Sequence, residues 1–203
     1  MPTSSSRERA TPLPPDDRRL AIVEAVVPLL VEQGPTVTTR QIAEAAGVAE
    51  GTLFRVFPDK RTLLMAVAEH LLDPDRAESS LFDAVADAPD LESKVVATIE
   101  HSRKRMEQIL TVMTALRHVV HQEGPSEGPP SPPAFLVEAN RRLLDAIADH
   151  VFVPHRDELR VTPAKAALVL RSQIFGMWHP GMSPGSVLSA EELASILLNG
   201  LAR

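Results

Sequence analysis

The chain has 203 residues and a formal net charge of −6, with 44% apolar residues, 24% charged residues and no cysteine. The lack of cysteine excludes disulfides, thiolate zinc sites and cysteine nucleophiles, and no apolar run reaches the roughly 18 residues that a membrane span needs. The negative net charge of the whole chain argues against a protein that binds nucleic acid over most of its surface. Residues 1–72, however, carry 8 basic and 9 acidic residues, which is compatible with a local DNA-binding face.

The spacing of apolar residues predicts an all-α protein. Aromatic residues are few, six Phe and one Trp, and no stretch alternates as a half-buried strand does. Apolar positions recur every three or four residues instead, as they do in helices. Residues 1–15 lack the apolar core of a secretory signal and are predicted to be a flexible tail. We predict helices over residues 16–33, 38 or 39 to 46, 50–57, 60–72, 76–86, 91–122, 134–152, 163–178 and 189–201, with loops over 123–133 and 179–185.

Proline and capping residues predict where several of these helices bend or begin. Pro28 lies inside the first helix but away from its apolar face, so we expect a distortion there rather than a break. Asp59 is predicted to cap the fourth helix, and Ser189 with Glu192 forms a capping box for the last. A further break is expected near Pro154.

The stretch TTRQIAEAAGVAEGTLFRVFPDK, residues 38–60, has the features of a helix-turn-helix. Ala43 is small enough for two helices to cross closely, and Gly47 tolerates the left-handed backbone of a tight turn. The residues predicted to form the small core beneath are Ile42, Val48, Leu53 and Phe57. Short and polar side chains on the opposite face of the third helix permit close approach to base edges in the major groove.

These spacings resemble the DNA-binding region of the TetR family of transcriptional repressors, over residues 16–72. The resemblance implies a flexible tail at 1–15, an N-terminal three-helix helix-turn-helix DNA-binding domain at 16–72, and a C-terminal helical effector-binding and dimerisation domain at 73–203. It implies a cytoplasmic, ligand-responsive repressor that binds a palindromic double-stranded DNA operator as a homodimer. The alternative is a helical small-molecule-binding protein that has lost DNA binding.

The resemblance also implies DNA contacts for individual residues. Those near the start of the second helix and Lys60 would contact phosphates or edge bases, while those on the third helix would face the groove. Phe54 stands where the family usually has Tyr, and Ala49 replaces the usual Ser, which weakens the expected cap of the third helix. The predicted DNA-binding residues are Thr39, Arg40, Glu50, Gly51, Thr52, Phe54, Arg55 and Lys60.

In the C-terminal region, an apolar stripe on the long sixth helix predicts either ordinary core or, as the family resemblance implies, the wall of a pocket for a small apolar effector. Its methionines would suit a plastic cavity. The basic run Arg103, Lys104 and Arg105 indicates a solvated face, or one in which a single member holds an anionic ligand. The candidate pocket residues are Met106, Ile109, Met113, Phe135, Phe175 and Trp178.

The last two helices carry further apolar stripes, which predict either intramolecular packing or, as in the family, a four-helix dimer interface. The stripes are Ala167, Leu170, Ile174 and Trp178 on one helix, and Leu193, Ile196, Leu197 and Leu201 on the other.

Neither catalysis nor a metal site is predicted. His118 and His121 share a helix face without an evident third ligand, and Asp145 and Asp149 indicate a polar helix face rather than a catalytic pair. No nucleophile elbow or phosphate-binding glycine loop is present. We therefore expect no enzyme activity and no cofactor.

Overall fold

The computed structural model describes residues 14–122, 134–178 and 188–200, and every regular element in these ranges is helical, as predicted. None of these helices is long and apolar enough to cross a bilayer. The predicted loops at 123–133 and 179–185 lie outside the described residues. The helices are α1 Pro15–Gln33, α2 Thr39–Ala45, α3 Glu50–Val56, α4 Lys60–Leu71, α5 Pro74–Val85, α6 Leu91–Gln122, α7 Ala134–Ile147, α8 Pro163–Trp178 and α9 Ala190–Asn199.

Side-chain caps fix the starts of several of these helices. The Asp59 carboxylate accepts the backbone N–H of Thr62 at 2.6 Å, and Ser189 with Glu192 forms the predicted capping box of α9. Hydrogen bonds from Thr62 hold the pKa of Asp59 below its usual value. Thr38, rather than Thr39, caps α2. Helix α5 begins two residues earlier than predicted because Asp73 caps it and Pro74 occupies its first position.

The predicted effects of Pro28 and Pro154 can be compared with the observed helices. Helix α1 runs through Pro28, whose ring is exposed, and ends at Gly34 with φ of 71°. The predicted helical segment over 134–152 and the break near Pro154 are confirmed, but the α-helical part, α7, ends at Ile147. A π-helical turn, Ala148–Phe152, and a 3-10 segment, Val153–Glu158, follow it. Pro154, which lacks a backbone N–H, lies in the second of these segments.

The buried side chains form two cores that share helix α6. The first core gathers α1 to α4 and includes Val112 and Ala115 of α6, while the second gathers apolar residues of α5 to α9. Residues of α6 thus belong to both cores, and the domain boundary after residue 72 stays a prediction. Helix α6 has 32 residues and contacts α1, α4, α5, α8 and α9, so it connects the N-terminal helices to the rest of the structure.

The stripes predicted for a dimer interface lie largely inside this second core. Ala167, Leu170, Ile174 and Leu193 are at most 2% exposed, so their assignment to an interface is wrong and the intramolecular alternative holds for them. Ile196 and Leu197 are half-buried, while the Trp178 side chain and Leu201 lie outside the described residues. The exposed apolar side chains on α8 are Leu168, Val169 and Phe175.

Candidate functional site

Helices α2 and α3 are joined by the predicted tight turn. Gly47 has φ of 65°, a left-handed conformation that glycine adopts without the penalty a side chain brings. The backbone N–H of Gly47 donates to the Glu44 carbonyl at 3.0 Å, and that of Val48 donates to the Ala43 carbonyl at 2.9 Å. Ala43 is 3% exposed, which confirms that its small side chain lies at the close helix contact.

The predicted core beneath the turn is present. Ile42, Leu53 and Phe57 are each at most 2% exposed, and the half-buried Val48 packs against them. Arg19 of α1 adds a contact that the sequence did not indicate. Its guanidinium lies over the Phe57 ring, 4.4 Å from the centroid, and its Nη1 donates to the Val56 carbonyl at 3.5 Å. Arg19 thus packs at the C-terminal end of α3.

Most residues predicted to contact DNA lie at the surface of α2 and α3. Arg40, Glu50, Gly51, Phe54 and Arg55 are exposed, and Phe54 retains 45% of its accessible area. A Cβ atom built on Gly51 meets nothing within 4 Å, so this part of α3 faces open space. Thr39 and Thr52 are half-buried.

The N-termini of α2 and α3 are linked by a side-chain hydrogen bond. The Thr39 hydroxyl donates to Oε1 of Glu50 at 2.8 Å. Two residues that the family resemblance assigned to separate roles therefore lie in contact, and the hydroxyl restrains the carboxylate at the start of α3. Ala49 occupies the N-cap of α3, and no side-chain hydrogen bond caps this helix end.

Lys60, predicted to hold a phosphate, is already bonded within the chain. Its Nζ donates to the carbonyls of Pro35 at 3.2 Å and Val37 at 2.5 Å. Partial burial lowers the pKa of its ammonium. The side chain thus joins the start of α4 to the connection between α1 and α2. An ammonium has three N–H donors, so one more acceptor can be bound at this position.

The sequence signature described as "Bacterial regulatory proteins, tetR family" matches residues 22–67, which cover the helix-turn-helix and its flanking helices. The helix-turn-helix region of this chain therefore matches the TetR family. The nucleoid occlusion factor SlmA of Marinomonas sp. (strain MWYL1) is 34% identical over 86 residues, 42% of this chain and 41% of that protein. The match to this curated relative therefore spans about two fifths of its length.

Solved TetR structures share the fold beyond this region. A TetR transcriptional regulator from Streptomyces coelicolor has 23% identity and a TM-score of 0.58, with 90% of this chain and 97% of that chain covered. The TetR-like regulator LfrR from Mycobacterium smegmatis, solved in complex with proflavine, has 18% identity and a TM-score of 0.55, with 93% and 98% covered. At these identities the likeness establishes a common fold.

A partly open cavity of about 640 Å³ lies between α6, α7 and α8. Four of the predicted pocket residues, Met106, Ile109, Met113 and Phe175, line it. Phe135 and Trp178 belong to α7 and α8, but their side chains lie outside the described part of the structure. Helix α6 supplies one wall of the cavity and also packs against the N-terminal core, so cavity and helix-turn-helix share a structural element.

Two arginines, Arg105 and Arg171, add positive charge to the apolar wall of the cavity. Nε and Nη2 of Arg171 donate to Oδ1 of Asn140 at 3.1 and 2.8 Å, and Nη2 of Arg105 donates to the backbone carbonyl of Leu71. Burial lowers the pKa of both guanidiniums, although arginine stays charged in proteins. The basic run indicated Arg105 as one alternative. Arg171 was missed, because only the folded chain brings it beside Asn140.

Proposed function

We propose that this chain is a DNA-binding transcriptional regulator, acting as a ligand-responsive repressor that binds a palindromic operator as a homodimer. The observation that carries the proposal is the helix-turn-helix itself. Its turn is closed at Gly47, its core is filled, and α3 presents an exposed face with no side chain at Gly51. Helices presented in this way enter the major groove, where a short polar surface reads base edges.

In this proposal, the DNA-binding residues fall into two groups, those that contact base edges and those that contact phosphates. Thr52 and Glu50 face base edges, Arg40, Arg55 and Lys60 face phosphates, and Thr39 orients Glu50 through its hydrogen bond. Phe54 is exposed without a hydroxyl, which suits contact with a thymine methyl or a sugar. Binding should weaken as salt is added, because each phosphate contact releases counterions from the DNA.

The homodimer is supported by apolar side chains of α8 that stay exposed in the single chain. Leu168 and Val169 retain 54% and 49% of their accessible area. A two-fold dimer would place two copies of α3 in successive major grooves, and the two half-sites would then be related by an inverted repeat about one helical turn apart.

An effector is supported by the cavity beside α6 and by the fold shared with LfrR, which was solved with a bound small molecule. A ligand that binds one subunit arrangement better than another shifts the population between them, and so changes the spacing of the recognition helices. Because α6 contributes to both cores, it is the element through which we expect this coupling to act.

Selection of bound fragments from random DNA tests the function directly. Purified protein at low salt and without ligand should enrich one inverted repeat, whose two halves lie about one helical turn apart. Absence of any enriched repeat would contradict the repressor and favour the alternative, a small-molecule-binding protein without DNA affinity. A non-palindromic enriched site would contradict the symmetric dimer alone.

A further inference from the structure

The cavity between α6, α7 and α8 combines apolar walls with concentrated positive charge. Met106, Ile109 and Met113 cover one side, while Arg105 and Arg171 lie in the same lining. Exposed Arg117 lines it as well. None of its described lining residues is an aspartate or a glutamate. A cavity of this kind suits a ligand that is apolar over most of its surface and negative at one end.

Neither of these half-buried guanidiniums is neutralised within the described ranges of the chain. Arg171 donates to the neutral amide of Asn140, Arg105 donates to the neutral carbonyl of Leu71, and no described carboxylate forms an ion pair with either. The Asp73 carboxylate acts on Arg105 only at longer range. Each guanidinium has five N–H donors, so most of them are left for a ligand. Partly desolvated cations without a paired anion are unfavourable, and an anionic ligand would relieve that.

We propose that the effector of this cavity is an amphipathic organic anion, whose single negative head group binds Arg105 and Arg171 and whose apolar body lies against the methionine side. This inference depends on the proposed function only in treating the cavity as an effector site. It refines the expected small apolar molecule by adding a charge. A second cavity of about 660 Å³ provides the contrast, since its lining holds three carboxylates, Asp90, Glu92 and Glu158, against a single arginine, Arg160.

The same binding mode connects the head group to the DNA-binding region. Leu71 is the last residue of α4, and the Arg105 guanidinium at its carbonyl stabilises that helix end. A head group that attracts Arg105 competes with this carbonyl. Occupation of the cavity therefore acts on the end of α4, whose other end begins at Lys60 beside the helix-turn-helix.

Calorimetric titration of the full chain with decanoate, decanol and decyltrimethylammonium tests the inference, because the three probes share one tail and differ in head-group charge. Decanoate should bind at least about tenfold more tightly than decanol, as expected for charge-assisted hydrogen bonds, and the cation should bind most weakly. Arg171→Gln and Arg105→Gln should each weaken decanoate about tenfold or more and leave decanol unchanged. Arg103→Gln is the matched control, because Arg103 is on the same helix but pairs with Glu100 outside the cavity.

Equal affinity for decanoate and decanol, no binding of decanoate, or wild-type decanoate affinity in Arg171→Gln would each overturn the proposal. If Arg105→Gln fails to fold by circular dichroism, the head-group comparison and Arg171→Gln still decide the question. The titrations contain no DNA, so they are independent of whether the chain binds DNA. Decanoate that binds as expected without changing operator affinity would contradict ligand-responsive regulation and leave the assigned ligand class intact.

Discussion

At the scale of single residues, Gly47 and Gly51 lie four positions apart and have opposite conformational roles. Gly47 has φ of 65° in the turn, whereas Gly51 lies within α3. A Cβ atom added at either position meets nothing within 4 Å, so backbone preference rather than steric contact decides the effect of a substitution. Substitutions at these two positions therefore measure the conformational preference of the backbone without a contribution from steric contacts.

Gly47→Ala should lower the free energy of unfolding by about 1–2 kcal/mol, because an L side chain is unfavourable in the left-handed region. Gly51→Ala should raise it by about 0.5–1 kcal/mol through improved helix propensity. Urea unfolding of both variants gives the comparison. Destabilisation of equal size in the two variants would contradict the assigned backbone roles.

Lys60 shows that one side chain can serve the fold and the proposed DNA contact together. Lys60→Met removes the donor to the Pro35 and Val37 carbonyls and should cost about 1–2 kcal/mol of unfolding free energy. It should also weaken binding to all DNA sequences alike. Arg40→Met is the control, since its exposed charge should affect DNA affinity but not stability. Unchanged stability in Lys60→Met would show that the two carbonyl bonds contribute nothing.

At the scale of elements, α3 is short and begins without a side-chain cap. Ala49 holds extended backbone angles suited to an N-cap, with φ of −69° and ψ of 145°. Ala49→Ser should therefore raise the free energy of unfolding by about 1 kcal/mol, by accepting a free N–H of the first turn. Ala45→Ser, at the exposed end of α2, has no such N–H to accept and should be neutral or slightly destabilising. Equal effects of both serines would exclude capping as the cause.

The packing of α5 against α6 predicts a pH dependence. His101 of α6 lies 3.0 Å from the Ser80 hydroxyl, and burial, with Arg105 and Lys104 nearby, lowers its pKa from 6.5. Just below pH 6.5 the unfolded chain therefore binds more protons than the folded chain, so stability present above that pH is lost as the pH falls.

His101→Gln should reduce this loss, and urea unfolding at about pH 7.5 and about pH 5.5 measures it. The pKa of His70 is also lowered by burial, so part of the dependence should remain in the variant. His118→Gln, at an exposed position of the same helix, is the control. If the free energy of unfolding of His101→Gln keeps the wild-type pH dependence, His101 is not the cause of that dependence.

At the scale of the whole molecule, the features predictable from sequence are those set by neighbours along the chain. Helix spacing, the Gly47 turn, the Asp59 cap and the capping box at Ser189 all depend on residues within four positions of one another. For the same reason Leu53 and Phe57 were predicted to be buried together, because residues four positions apart share a helix face.

The features that could not be predicted from the sequence depend on contacts between residues that are far apart along the chain. Arg171 lies 31 positions from Asn140, and Lys60 lies 23 from Val37, so neither pair is visible in local spacing. Apolar stripes are equally ambiguous, because Leu170 and Ile174 have the same pattern whether they meet another helix of the chain or a second subunit. Burial in the folded chain resolved that ambiguity. The residues that line the cavity show that it is charged as well as apolar.

The central claim is that α3 reads DNA in a two-fold symmetric dimer, and parallel selections from random DNA with wild-type protein and Thr52→Ala test it most directly. Loss of one hydroxyl facing the groove should change the base preference at one position in each half-site, and the two altered positions should be related by the symmetry of the repeat. An unaltered enriched sequence, or a uniform loss of affinity for every sequence, would contradict the account.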